Sequence, residues 1–307
     1  MSHFIDFLRA RFKTNLLLIG LAFSGCGDDS SQYTAPPPDY EENTSGALKG
    51  ATPAPTQKTL DATTTLTPGK DFHHPELPLE MIWVKPGSFR MGSKSANAPK
   101  NEKPNAIITV TQGYWLAKHE TTQRLFEAVM SENPSDFHNA EQPVESLAYY
   151  EALDFCEKLT AQERSNNRLQ PGFQYHLPTE TQWEFAAKGG AEAHLQNFPQ
   201  IEESVWHKGN SPVGPNIVGR KTAHPLGFLD LLGNISELCY GRAAPLPSLP
   251  QKDWIGSQEG RLCVARGGNW FEEPTKCTTT ARLTVLPSTR NSAIGFRLAL
   301  SNILQSQ

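Results

Sequence analysis

A chain of 307 residues that is 37% hydrophobic and 20% charged has enough apolar material for a large packed body, so it is not a wholly disordered polymer. A formal net charge of -4, with no Lys/Arg block and no basic-aromatic stripe, weighs against a nucleic-acid partner. Gly (23) and Pro (24) are both frequent, which points to long loops, a Pro-rich tail, or both.

Residues 1–25 read as a targeting segment. Arg9, Arg11 and Lys13 form a basic start, and Leu16 to Phe23 is an apolar run. A bilayer crossing needs about 20 apolar residues, so the run fits the hydrophobic part of a signal peptide instead. It ends in Phe23-Ser24-Gly25-Cys26, which resembles a bacterial lipobox except that Phe23 stands where Leu is usual. Cys26 is therefore the expected lipidation site, with acyl chains holding the protein at a membrane by burying methylenes at ~0.8 kcal/mol each. Gly27, in place of an Asp, leans toward the outer membrane. The expected location is the bacterial cell envelope.

From Cys26 to residue 78 the chain changes character. Ala35-Pro36-Pro37-Pro38, Ala51-Thr52-Pro53-Ala54-Pro55 and Thr63-Thr64-Thr65 carry little apolar periodicity. Such a segment cannot bury enough surface to offset its chain entropy, and it reads as a flexible tether. The folded body is expected over residues 79–303. Met81 to Val84 and Ser88 to Met91 read as two strands around the Pro86-Gly87 turn. Ile107 to Val110 and Tyr114 to Ala117 are further strands. Thr122 to Ser131 places Leu125, Phe126, Val129 and Met130 on one helical face. Leu147 to Gln162 is a second helix with Ser146 as its cap. Tyr175 to Leu177 is a short extended stretch. Thr179 and Gln182 form a capping box for a third helix, stopped by Gly189-Gly190. Asn197 to Ala281 reads as long loops, and Gly295 to Leu300 as a closing strand.

Several stretches, in order, resemble the formylglycine-generating-enzyme (sulfatase-modifying-factor) domain family. They are Met81 to Ser93, Glu120-Thr121-Thr122-Gln123, Gln142-Pro143-Val144-Glu145, Leu177 to Ala187, Leu226 to Asn234, Arg266-Gly267-Gly268-Asn269-Trp270 and Gly295-Phe296-Arg297. The resemblance implies an α+β, C-type-lectin-like fold, loop-rich with little regular secondary structure. That fold serves unrelated activities, so it does not assign one.

The enzyme of that family uses two neighbouring thiols that bind copper(I), as soft ligands should. Cys277 matches the second thiol and is the candidate catalytic residue, but the first falls near Glu272, where no thiol exists. The copper pair is incomplete, and copper is not expected. The spacing of histidines that the iron-dependent relatives need is also missing. The resemblance implies a calcium site at Asn234 and Glu237, whose oxygens are the hard donors calcium prefers. It also implies a binding face after Gly267-Gly268, with Trp270, Phe271, Glu272, Arg282 and Arg290 as candidate contact residues. Against that, Arg282 and Arg297 read first as structural donors to loop carbonyls, since one guanidinium can satisfy several at once, and Trp270 reads first as a core residue.

Four further cysteines, Cys156, Cys239, Cys263 and Cys277, allow three full pairings in an exported protein. A Cys239–Cys263 bond would close a loop of about 25 residues and contribute ~3 kcal/mol in the entropic picture. The leading expectation is an envelope lipoprotein whose domain binds an envelope protein or a cell-wall component, anchored to the membrane by lipid. The alternative is an oxidase that converts a substrate cysteine to formylglycine.

Overall fold

The computed structural model describes residues 66–191 and 199–302. The signal segment, Cys26 and most of the tether lie outside the described residues. In chain order the strands are β1 (Phe72–His73), β2 (Glu80–Val84), β3 (Gly87–Met91), β4 (Ala106–Val110), β5 (Tyr114–Ala117), β6 (Gln174–His176), β7 (Ser236–Cys239), β8 (Gln251–Lys252), β9 (Cys263–Arg266), β10 (Arg282–Val285), β11 (Ile294–Gly295) and β12 (Ala299–Ser301). The helices are α1 (Gln123–Met130), α2 (Tyr149–Ser165), α3 (Glu180–Ala187) and the single turn α4 (Ile201–Ser204). The strands form sheets of order β1-β2-β5-β12-β6, β10-β9-β7-β11 and β3-β4-β8.

The first sheet is the spine. β2 and β5 run antiparallel, with Met81 opposite Ala117 and Trp83 opposite Trp115. The two indoles meet edge to face at 4.5 Å, a cross-strand aromatic pair of the kind that fixes register. One face of this sheet packs on α1 and α2 through Phe126, Phe155 and Phe296. The other packs on α3 through Val84, Leu116, Phe185 and Ala299.

Local sequence rules account for α1 and α3. The Thr122 hydroxyl accepts from the Leu125 N–H at 3.2 Å. Thr179 and Gln182 cap each other reciprocally, at 3.1 and 2.9 Å. The α2 start differs from expectation. Ala148 is its N-cap, and Glu151 reaches back to the Ala148 N–H at 2.7 Å. Ser146 instead donates to Asp136 at 2.6 Å.

Three further expectations need correction. The folded body does not begin at Leu79: Leu66 and Phe72 are already buried in the main core, and β1 pairs with β2. The reason is that sparse apolar residues there find long-range partners. The stretch expected to be all loop contains β7, β8 and β9: β7 and β9 are short and fully buried, so they carry no polar alternation to betray them, and β8 is only two exposed residues long. Lastly, the closing segment is two strands in two sheets. β11 pairs parallel to β7, whereas β12 pairs with β5 and β6. Arg297 sits at the crossing point between them, fully buried.

The expected Cys239–Cys263 disulfide is also absent, and the register explains why. Cys239 lies opposite Val264 on the neighbouring strand. Cys263 is one residue further along, so its side chain points to the other face of the sheet. Cys239 packs in one core and Cys263 in the other. All four cysteines among the described residues are free and buried.

Candidate functional site

The turn Gly267-Gly268 brings the end of β9 against Cys277. Both glycines have positive φ, and a Cβ on Gly268 would come within 2.9 Å of the Cys277 sulfur. The thiol is thereby sealed against the turn, 2% exposed, and points to the Asn269 carbonyl at 3.6 Å. Burial pushes its pKa up to about 11, with the Asn269 contact pulling slightly the other way and the nearby Glu272 charge adding to the rise. At neutral pH it is a protonated, inert thiol.

In front of the buried thiol lies an open cleft of ≈ 600 Å³. The loop from Ser93 to Glu102 forms one wall, and residues from Glu272 to Leu283 form the other. Ser236, Gly268 and Asn269 line its floor. The Asn269 amide donates to Ser236 at 3.0 Å and accepts from the Phe271 N–H at 3.0 Å. That second bond turns the chain so that the Phe271 ring stands out, 66% exposed. A neighbouring hollow of ≈ 350 Å³ shares Asn269, Glu272 and Leu283 with the cleft and continues past Trp270 and Phe271 to Asn291. The Trp270 ring meets Phe271 edge to face at 5.5 Å, and its indole N–H donates to the Ser292 carbonyl at 3.1 Å.

Of the candidate contact residues, the consecutive Trp270, Phe271 and Glu272 all line the smaller hollow. Arg282 lines the cleft wall, but its guanidinium is buried against the Glu180 carboxylate and the carbonyls of Asn101 and Ala244. Arg290 lies elsewhere, bound to Glu151 on α2 and to the Ser146 carbonyl. Arg282 thus acts as a buried strut, whereas Arg290 is half exposed while tied to α2. Sequence reasoning missed the Ser93–Glu102 wall and Thr275. Isolated hydroxyl residues in loops carry no pattern that singles them out.

The expected calcium donors do not fit a metal ion. Both oxygens of Glu237 accept from Arg297, at 2.6 and 2.7 Å, and one also accepts from the Trp183 indole at 2.6 Å. The Asn234 carbonyl oxygen accepts from the Asn216 N–H at 2.8 Å, and its amide donates to Glu120 at 2.9 Å. A guanidinium in contact with Glu237 would repel a cation. No group of three or more His, Cys, Asp or Glu side chains among the described residues is placed to hold a metal.

Arg297 is ringed by acids. Burial raises the pKa of Glu237, partly offset by Arg297. Glu120 is raised well above the usual carboxylate range by burial and by the charges of Asp230 and Glu237. Burial lifts Asp230 to about 6, with the Gly219 N–H and Arg297 pulling it down. One Asp230 oxygen accepts from Gly219 at 2.6 Å, and the other is buried without a partner.

A second ionic knot ties the cleft to the core. Arg266, fully buried, pairs with Glu184 and donates to the carbonyls of Thr279, Thr280 and Ala281. One guanidinium thus orders three consecutive loop carbonyls on the cleft wall.

Comparison with known proteins follows the same outline. The sequence profile of the sulfatase-modifying factor enzyme 1-like domain matches residues 70–302. The chain is 26% identical over 238 residues to the chaperone protein LppX of Paenibacillus barcinonensis, covering 62% of this chain and 78% of that protein. It is 27% identical over 252 residues to the serine/threonine-protein kinase pkn1 of Chlamydia pneumoniae, covering 72% of this chain but only 38% of the kinase. Treponema denticola variable protein 1 superposes with a TM-score of 0.65 at 25% identity, over 76% of this chain and 99% of that one. PvdO from Pseudomonas aeruginosa superposes with a TM-score of 0.64 at 20% identity, over 77% and 100%, a likeness of fold alone. The expected α+β, loop-rich fold is the one observed.

Proposed function

The chain belongs to the sulfatase-modifying factor enzyme 1-like domain family, and from that premise we propose that it is an envelope lipoprotein that holds a partner in the cleft without oxidising a cysteine. The observation that carries this reading is the state of the cleft. The first thiol would fall near Glu272, where the sequence has none, and Cys277 is sealed behind Gly268 with its pKa raised to about 11. A single buried, protonated thiol does not supply a copper(I) pair. The relative named as a chaperone supports a role in binding rather than in chemistry. Among the described residues no helix is long and apolar enough to cross a membrane, and the anchor we assign is lipid on Cys26.

Copper(I) titration of the full-length chain against Cys277→Ser tests the reading. Equal, weak binding by both is expected. A tight site lost with Cys277 would restore the oxidase. Acyl labelling in a bacterial host should vanish in Cys26→Ala, and persistence of the label would remove the anchor.

A further inference from the structure

The cleft and its neighbouring hollow share Asn269, Glu272 and Leu283, so together they form a trough with two compartments. A trough of this form suits a linear ligand whose units repeat. Its charges cancel: among the residues lining the larger compartment, Glu102 and Glu272 stand against Lys276 and Arg282. Glu102 is further occupied by the Thr280 hydroxyl at 2.6 Å, and Arg282 by Glu180. What remains on the walls is mostly hydroxyl and amide, from Ser93, Ser95, Asn97, Thr275 and Thr278. These groups both donate and accept, which matches a ligand carrying many neutral hydroxyls.

The smaller compartment adds an exposed aromatic face. Phe271 projects 66% of its surface to solvent, propped by Trp270. An unburied ring held in one orientation is a platform for the C–H face of a sugar, and ordered aromatic anchors lose little entropy on binding. Beside it Leu283, Ala293 and Ile294 give an apolar shelf, and Glu272 and Asn291 give polar groups. An acetamide group satisfies both, with its methyl on the shelf and its N–H on the Glu272 carboxylate.

An added peptide strand fits less well. The Arg282 carbonyl at the start of edge strand β10 already accepts from the Asn101 amide at 2.9 Å, and the Arg282 guanidinium donates to the Asn101 carbonyl at 2.7 Å. The Ser93–Glu102 wall is stitched to the edge that a peptide would extend.

We propose that the trough binds a neutral, linear glycan of N-acetylated hexosamine units, with Phe271 stacking on one sugar and Glu272 accepting from an acetamide N–H. This deepens the partner-binding reading and rests on it.

The test is calorimetric titration of the full-length chain with a tetramer of β-1,4-linked N-acetylglucosamine, with the β-1,4-linked glucose tetramer as the control lacking acetamides. The acetylated tetramer should bind at least about tenfold more tightly than the control. Phe271→Ala should weaken it by about tenfold, the equivalent of ~1.4 kcal/mol. Phe271 is exposed, so its loss should leave the fold intact, with far-ultraviolet dichroism as the check. Glu272→Gln should narrow the gap between the two tetramers. Binding that ignores the acetamide, or is unchanged in Phe271→Ala, would overturn the proposal. Absence of glycan binding, with an envelope protein captured through the same trough, would overturn the glycan and leave the partner-binding reading standing. Tight Cys277-dependent copper would overturn both.

Discussion

At Asp230, burial outweighs everything else that sets the titration. Its carboxyl is 3% exposed, in a left-handed backbone position, with one oxygen unpaired. Its folded pKa of about 6 lies above the ordinary 3.8. An acid raised in this way contributes stability that is fully present below 3.8 and is lost as pH rises through about 6. Denaturant unfolding of the wild type should therefore show stability falling across that interval, in addition to the trends of other groups. In Asp230→Asn that component should disappear. Identical pH profiles for the two would show that Asp230 is not held in a raised state.

At the scale of elements, the segment before β2 depends on α2. His74 accepts from the N–H groups of Glu76 and Leu77 through Nδ1, and its Nε2 lies 2.9 Å from Glu163. Burial alone would raise Glu163, but the hydrogen bonds from His74 and Arg168 outweigh it and hold it at about 2. A depressed carboxylate of this kind stabilises the fold above the ordinary 4.5, and that stability is lost as pH falls toward 2. The same segment carries Leu66 and Phe72 into the core. A chain starting at residue 79 should thus be less stable than one starting at residue 66, by at least the ~2–5 kcal/mol typical of a lost core side chain. The acid-sensitive component between 4.5 and 2 should also shrink, because His74 is lost while Arg168 stays on Glu163. Equal urea midpoints for the two chains would refute the assignment of this segment to the body.

For the molecule as a whole, much of the long loop structure among the described residues is tied down by buried arginines. Arg266 fixes the carbonyls of Thr279 to Ala281, and Arg297 fixes those of Ala117, Lys118 and Leu229. Arg266→Ala should cost ~3–5 kcal/mol, because it leaves Glu184 buried without its full complement of partners. Calcium should have little effect. A ligand raises stability only by binding the folded state, so millimolar calcium or a chelator should shift Tm by less than about 1 °C. A large calcium-dependent rise in thermal unfolding would restore the metal site at Asn234 and Glu237.

What could be read in the sequence was local or ordered along it. Thr122, Thr179 and Gln182 cap helices through contacts three residues away, and the ordered stretches from Met81 to Arg297 carried the fold. The incomplete thiol pair was also legible, because it needs only a residue count. The use to which each charged side chain is put was not. Glu237 meets Arg297 across 60 residues, and Arg282 meets Glu180 across 102. Nor was it legible that Cys239 and Cys263 face opposite ways, since that depends on a one-residue register between strands. Capping and motif order are properties of neighbours along the chain. Ion pairing, strand register and the opening of a cleft are settled only when distant segments meet, and there the tertiary structure alone decided.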